Sequence, residues 1–146
     1  MKCVIQRVLS AQVKVDRKII GQINKGLLVF VGISINDNEL TVKQMAKKIC
    51  ELRIFSDDNG KFDRSLINVL GDILIVSQFT LLADCSKGRR PNFTRAASPD
   101  IAKPLVDLFI NEFKLVTIGT VQSGKFGADM NVSLENDGPV TIVIDA

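Results

Sequence analysis

The chain has 146 residues, enough for one domain with a substantial core, and its 19 Lys and Arg against 16 Asp and Glu give a net charge of +3. That mild excess permits an anionic partner without demanding one. There is no histidine, which excludes Ser-His-Asp and Cys-His relays, histidine-bearing zinc sites and histidine general acid-base work. No apolar run approaches the roughly 20 residues that span a bilayer, and arginine interrupts MKCVIQRV too early for a signal peptide. A cytoplasmic protein that meets no membrane is expected. Cys3, Cys50 and Cys85 are widely spaced and form no CxxC, so neither a disulfide framework nor a zinc knuckle is expected, and Cys3 and Cys50 read as small core hydrophobes. Walker and Rossmann patterns are missing, since Gly124 and Gly127 form a GxxG without a strand-to-helix context.

In chain order, residues 4–15 read as a strand, followed by a turn at Asp16-Arg17-Lys18 and a second strand through Ile23. Asn24-Lys25-Gly26 is another turn, and residues 27–35 form a nearly continuous apolar strand. Asn36 followed by Glu39 has the spacing of a capping box. The helix behind it carries Val42, Met45, Ala46, Ile49 and Cys50 on one stripe, with Lys43, Lys47 and Lys48 facing water. Ile54-Phe55 enters a turn at Asp57-Asp58-Asn59-Gly60, and residues 65–70 fit no single class.

Residues 73–82, ILIVSQFTLL, look like a buried central strand. Ser77, Gln78 and Thr80 inside it each need a partner, because burying an unpaired polar group costs about 1 to 3 kcal/mol. They are either bonded within the protein or face a ligand. Residues 86–95 follow, with four basic and no acidic residues, broken by glycine and proline into an exposed loop. Pro104 favours a helix starting near Asp100, with Leu105, Leu108, Phe109 and Phe113 on the buried face. Three strands are expected at 117–121, 130–135 and 140–144, the middle one alternating Met130, Val132 and Leu134 with a polar face. Between the last two, Asp137-Gly138 reads on spacing alone as a hairpin turn. These elements predict a single α+β domain over 1–146, a curved antiparallel β-sheet with a barrel-like core and two flanking amphipathic helices.

Two short motifs sharpen this reading: SQFTL at 77–81 and NDGPVT at 136–141. Together with VIQRV (4–8), LLVFVGI (27–33), LRIF (52–55), ADCSKGRRPNFT (83–94) and GKFGADMNVSLENDGPVT (124–141), they resemble the D-aminoacyl-tRNA deacylases, which remove D-amino acids wrongly attached to tRNA. The resemblance runs the length of the chain. It implies a β-barrel with helices on its flank and an isologous homodimer with two shared active sites. The Gly138-Pro139 bond would be cis and would enter the partner's site as a chirality gate braced by Arg7. Ser77, Gln78, Phe79 and Thr80 would form the opposite, catalytic wall, with backbone N–H groups at Phe79 and Thr80 facing a developing oxyanion. Phe126 and Met130 would line the substrate pocket, and Lys87, Arg89 and Arg90 would meet phosphates of the tRNA acceptor end. No cofactor or metal is expected.

The ester of aminoacyl-tRNA is already activated and has a ribose hydroxyl beside it, so a site without histidine needs mainly orientation and oxyanion stabilisation. Thr80 as a covalent nucleophile is the competing mechanism, with Asp84 as the nearest base in sequence. A gate of backbone and proline ring rejects an L-side chain by collision, which extends the expected substrates to glycyl-tRNA. Two rivals remain: a non-catalytic nucleic-acid-binding domain, which would have no use for such a gate, and related editing enzymes that keep Gly-Pro in trans, against which the intact SQFTL argues.

Overall fold

The computed structural model describes residues 1–146. Strand β1 (Lys2–Val15) runs antiparallel to β2 (Lys18–Ile23) and β3 (Gly26–Gly32) along one edge. The β1–β2 connection turns on Asp16 and Arg17, both with positive φ (49° and 64°), the backbone that a two-residue hairpin loop requires. Helix α1 (Glu39–Glu51) follows, then a small hairpin of β4 (Phe55–Ser56) and β5 (Phe62–Arg64), and β6 (Asp72–Ser77), which lies parallel to β3. Helix α2 (Pro99–Val116) leads to β7 (Val121–Ser123), parallel to β6, and β8 (Asn131–Asp145) returns antiparallel to the other edge of β1.

The α+β class, the curved sheet and the two helices are as expected. The sheet is mixed, however, not antiparallel throughout. Each helical crossover returns the chain in its original direction, so β3, β6 and β7 run parallel. The sheet stops short of a closed barrel because β7 and β8 do not pair.

The apolar runs of β3 and β6 follow from burial on both faces. Leu27, Val29, Val31, Ile73 and Ile75 join the larger core beneath the helices, while Leu28, Leu74 and Val76 join a smaller cluster with Val8, Val13 and Ile23. Gly26 sits where these strands begin; a β-carbon there would lie 1.9 Å from the carbonyl oxygen of Asp72, so only glycine admits the approach. Cys3 and Cys50 are buried core residues, and burial pushes the Cys3 thiol up to about 12.

Helix α1 buries the expected stripe of Val42, Met45, Ala46, Ile49 and Cys50. Its cap is Asn38, whose side chain accepts from Thr41 N–H (3.0 Å), so the box expected at Asn36 and Glu39 does not form. Asn36 instead lies in a turn closed by Asp37 N–H to Ser34 O. Helix α2 starts at Pro99, one residue earlier than expected, and retains Pro104 in its interior. Pro104 and Asp100 are both exposed, so the carbonyl left without an N–H partner is open to water. Leu105, Phe109 and Phe113 are buried as expected; Leu108 is half-buried, and Ala102 and Val106 complete the stripe. Residues 65–70 form turns held by Ser65 and Asn68.

Two expectations for the C-terminal strands fail. Residues 117–120 are not a strand, because Thr117 closes α2 by donating its N–H and hydroxyl to Phe113 O, and Thr120 N–H donates to the Asp72 carboxylate. Residues 131–145 form one strand, with the Asp-Gly-Pro segment inside it.

Candidate active site

The central strand is shorter than its composition suggests. Strand β6 ends at Ser77, Gln78 N–H donates to Val31 O (2.7 Å), and Phe79–Leu82 coil into a 3-10 turn. The expectation of a strand through Leu82 is therefore corrected. Leu82 turns into the core while Phe79 is 56% exposed, a division a two-sided buried strand would not give. The turn has a chemical consequence. Its first N–H groups, those of Phe79 and Thr80, have no acceptor in the turn, and neither donates to another backbone group. Gln78 Nε2 donates to Thr80 Oγ, and Thr80 is exposed.

Beside this turn lies a half-open cavity of about 590 Å³, set where β3 and β6 end and walled by α2 and the segment joining β7 to β8. Ser77, Gln78 and Phe79 line it, as do Phe126 and Met130, so the structure brings these sequence-derived residues together. Thr80 is not among the lining residues. Phe93 and Asp129 line the cavity and had no assigned role. Phe93 meets Phe79 edge-on at 5.1 Å between ring centroids. An aromatic residue in a polar loop was the sequence signal for Phe93; Asp129 carried none beyond its place in the GADM segment. Asp84 is a poor base for Thr80, because the backbone N–H of Ser86 donates to its carboxylate and holds it below the usual carboxylate range.

The NDGPVT segment lies elsewhere. Gln6 pairs with Thr141 and Val8 with Asn136, so the single residue Arg7 on β1 faces Asp137, Gly138, Pro139 and Val140 on β8. The strand bulges there, and the Gly138–Pro139 peptide bond is cis. The Asn136 amide, oriented with its nitrogen toward the carbonyls, closes the bulge by donating to Arg7 O (2.8 Å) and Val140 O (3.2 Å). Gly138 has φ +117°, and both Gly138 and Pro139 are exposed. Arg7 is buried beneath them, donating from Nη1 to Ile54 O at 2.7 Å. None of Arg7, Gly138 and Pro139 lines the cavity of its own chain.

The basic loop is a closed excursion. Asp84 and Asn92 exchange backbone hydrogen bonds of 2.8 and 2.9 Å at its neck, and Lys87, Arg89 and Arg90 are exposed without an ion pair. Phe93 follows directly, so the loop is continuous with the cavity wall.

An apolar cavity beside a turn with two unused N–H groups and a loop of exposed cations has the form of a ligand-binding site. The D-Tyr-tRNA(Tyr) deacylase family model matches residues 4–145, and the chain belongs to that family. A D-aminoacyl-tRNA deacylase of Thermosipho africanus (strain TCF52B) is 51% identical over 146 residues, covering 100% of this chain and 97% of the relative. A solved structure described as a c-Myc DNA unwinding element binding protein superposes with a TM-score of 0.94 at 38% identity, covering 100% of this chain and 99% of that one. Another, described as a probable eukaryotic D-amino acid tRNA deacylase, shares the fold at 19% identity with a TM-score of 0.85, covering 99% of this chain and 98% of that one.

Proposed function

We propose that this protein hydrolyses the ester of D-aminoacyl-tRNA to free amino acid and tRNA and spares the L-form. The observation that carries the reading is that the first two N–H groups of the 3-10 turn, at Phe79 and Thr80, are unused, in a turn whose Phe79 lines the apolar cavity. They are the donors that a tetrahedral intermediate needs, and fixed donors lower the barrier without reorganising during the reaction. Water attacks the ester carbonyl, its negative oxygen is held by these N–H groups, and the bond to the ribose oxygen breaks. The proton lost by water ends on that ribose oxygen. The neighbouring ribose 2'-hydroxyl assists this transfer, since Thr80 lies outside the lining and Asp84 is engaged by Ser86. Catalysis is then orientation plus charge stabilisation, not a covalent acyl-enzyme.

Gly138 and Pro139 serve as the chirality gate, acting on the cavity of a second subunit. Their exposure and their position outside their own cavity support this arrangement. So does the outer edge of β8, which pairs with no strand of its own chain. An isologous homodimer would give two such shared sites. Phe126 and Met130 hold the substrate from within, and Lys87, Arg89 and Arg90 hold tRNA phosphates. No helix is long and apolar enough to cross a membrane, and a tRNA substrate is in keeping with a cytoplasmic enzyme. The test is deacylation of D- and L-alanyl-tRNA by the purified protein. Selective loss of the D-amino acid is expected; similar rates for both enantiomers would refute the assignment.

A further inference from the structure

Arg7 is 7% exposed and is held from four sides. Nη1 donates to Ile54 O, and Nε lies 2.9 Å from Asp137 Oδ2, close enough for an ion pair but off the line of a hydrogen bond. The guanidinium carbon stands 5.3 Å from the centroid of the Phe62 ring. On the remaining side, Nη2 lies 3.0 Å from where a β-carbon on Gly138 would stand, so the guanidinium backs that residue directly.

Two of these contacts have no other explanation in the fold. Phe62 is 54% exposed and belongs to neither core cluster, so its ring is not placed there by packing. Its hairpin is stiffened independently: Arg53 Nε donates to Asp63 O (2.8 Å), Arg64 pairs with Asp58 (2.7 Å), and the Asp57 carboxylate accepts two N–H groups at the turn. A rigid hairpin thus carries an aromatic face to a buried cation, an arrangement favoured by the ring quadrupole. Asp137, for its part, supplies the only carboxylate paired with Arg7. Without that carboxylate the buried guanidinium would be left uncompensated, and its hold on the position behind Gly138 would loosen.

We infer that Asp137 and Phe62 are positioning residues: they fix the Arg7 guanidinium against Gly138 and so determine how strictly the Gly138-Pro139 segment rejects L-substrates. This rests on the gate reading given above. The two residues act from different elements, one within the bulge and one from the β4–β5 hairpin, so their effects are separable.

The experiment compares D-alanyl- and L-alanyl-tRNA deacylation by the full-length protein and its Asp137→Asn, Asp137→Glu, Phe62→Leu, Phe62→Tyr and Gly138→Ala variants, with thermal unfolding measured in parallel. Asp137→Asn is expected to lower the D-over-L rate ratio about tenfold, and Phe62→Leu about threefold. The conservative Asp137→Glu and Phe62→Tyr are expected to recover most of the ratio, which a general loss of stability would not do. Phe62 is largely exposed, so its variants test the inference even if an Asp137 variant does not fold. A ratio that collapses in Gly138→Ala yet stays at the parent value in both Asp137→Asn and Phe62→Leu would overturn the inference and leave the gate standing. A ratio unmoved by Gly138→Ala would overturn both.

Discussion

The cavity wall at 77–82 and the bulge at 136–141 are built on opposite principles. The first is apolar and half-open, its Phe79 ring exposed and its leading N–H groups unpaired. The second is closed in: Asn136 bridges two carbonyls, and Arg7 is held beneath Gly138 by Ile54 O and Asp137, with its Nε off the line of a hydrogen bond. The open region has room for a ligand and donors to spare. The closed one presents backbone and a proline ring. On the proposed reading they are a pocket that accepts and a wall that excludes, and one chain holds them apart.

The largest expected effect strikes the rigid half. Gly138→Ala puts a β-carbon 2.9 Å from Val140 Cγ2 and 3.0 Å from Arg7 Nη2, on a backbone with φ +117° that alanine rarely adopts. Strain of about 1 to 3 kcal/mol at that position should cost roughly tenfold to a hundredfold in discrimination between D- and L-alanyl-tRNA. A parent-like ratio would show that the bulge is not a gate.

Next is the substrate without a side chain. Exclusion by collision leaves glycyl-tRNA unopposed, and one methyl group of apolar contact yields only about 1 to 3 kcal/mol of preference. Glycyl-tRNA should therefore be hydrolysed in the same assay as D-alanyl- and D-tyrosyl-tRNA. Resistance of glycyl-tRNA alone would mean that the open half recognises the D-side chain positively.

A smaller effect is expected at the cations beside the cavity. Removing one of Lys87, Arg89 or Arg90 should weaken tRNA binding and flatten its log-log salt dependence by about 0.7 to 0.9 per lost phosphate contact. Unchanged slopes in all three single variants would remove the loop from the site. The smallest effect is expected at Thr80. If N–H groups and substrate hydroxyl do the chemistry, Thr80→Ala should stay within about tenfold of the parent, whereas loss of a covalent nucleophile removes nearly all activity. An acyl group trapped on Thr80 would contradict the mechanism.

Where periodicity and burial agreed, the sequence was readable. The stripe of α1 needed no tertiary information, because the helix has one apolar face. Residues 79–82 were misread because FTLL is as apolar in a 3-10 turn packed on Leu82 as it would be in a strand, and nothing local distinguishes the two. The bulge was misread for the reverse reason. Asp-Gly-Pro carries strong turn signals, yet β1 is long enough to pair with β8 on both sides of it, and Asn136 and Arg7 satisfy the interrupted ladder. Parallel pairing of β3 and β6 depends on where α1 packs, which no window of sequence contains. The motif residues of the cavity were legible through resemblance; Phe93 and Asp129 entered only when the fold placed them on its wall.

The central claim is that each site takes its cavity from one subunit and its gate from the other. Mixing two defective proteins tests it most directly: one made unselective in the bulge (Gly138→Ala), the other inactivated by a blocked cavity (Met130→Trp), co-expressed with different tags and purified as the mixed dimer. Shared sites predict that selective D-aminoacyl-tRNA deacylation returns, because one of the two sites then combines an intact cavity with an intact gate. If the mixed dimer forms and is as unselective as the Gly138→Ala parent, each site is built within a single chain and the account is wrong.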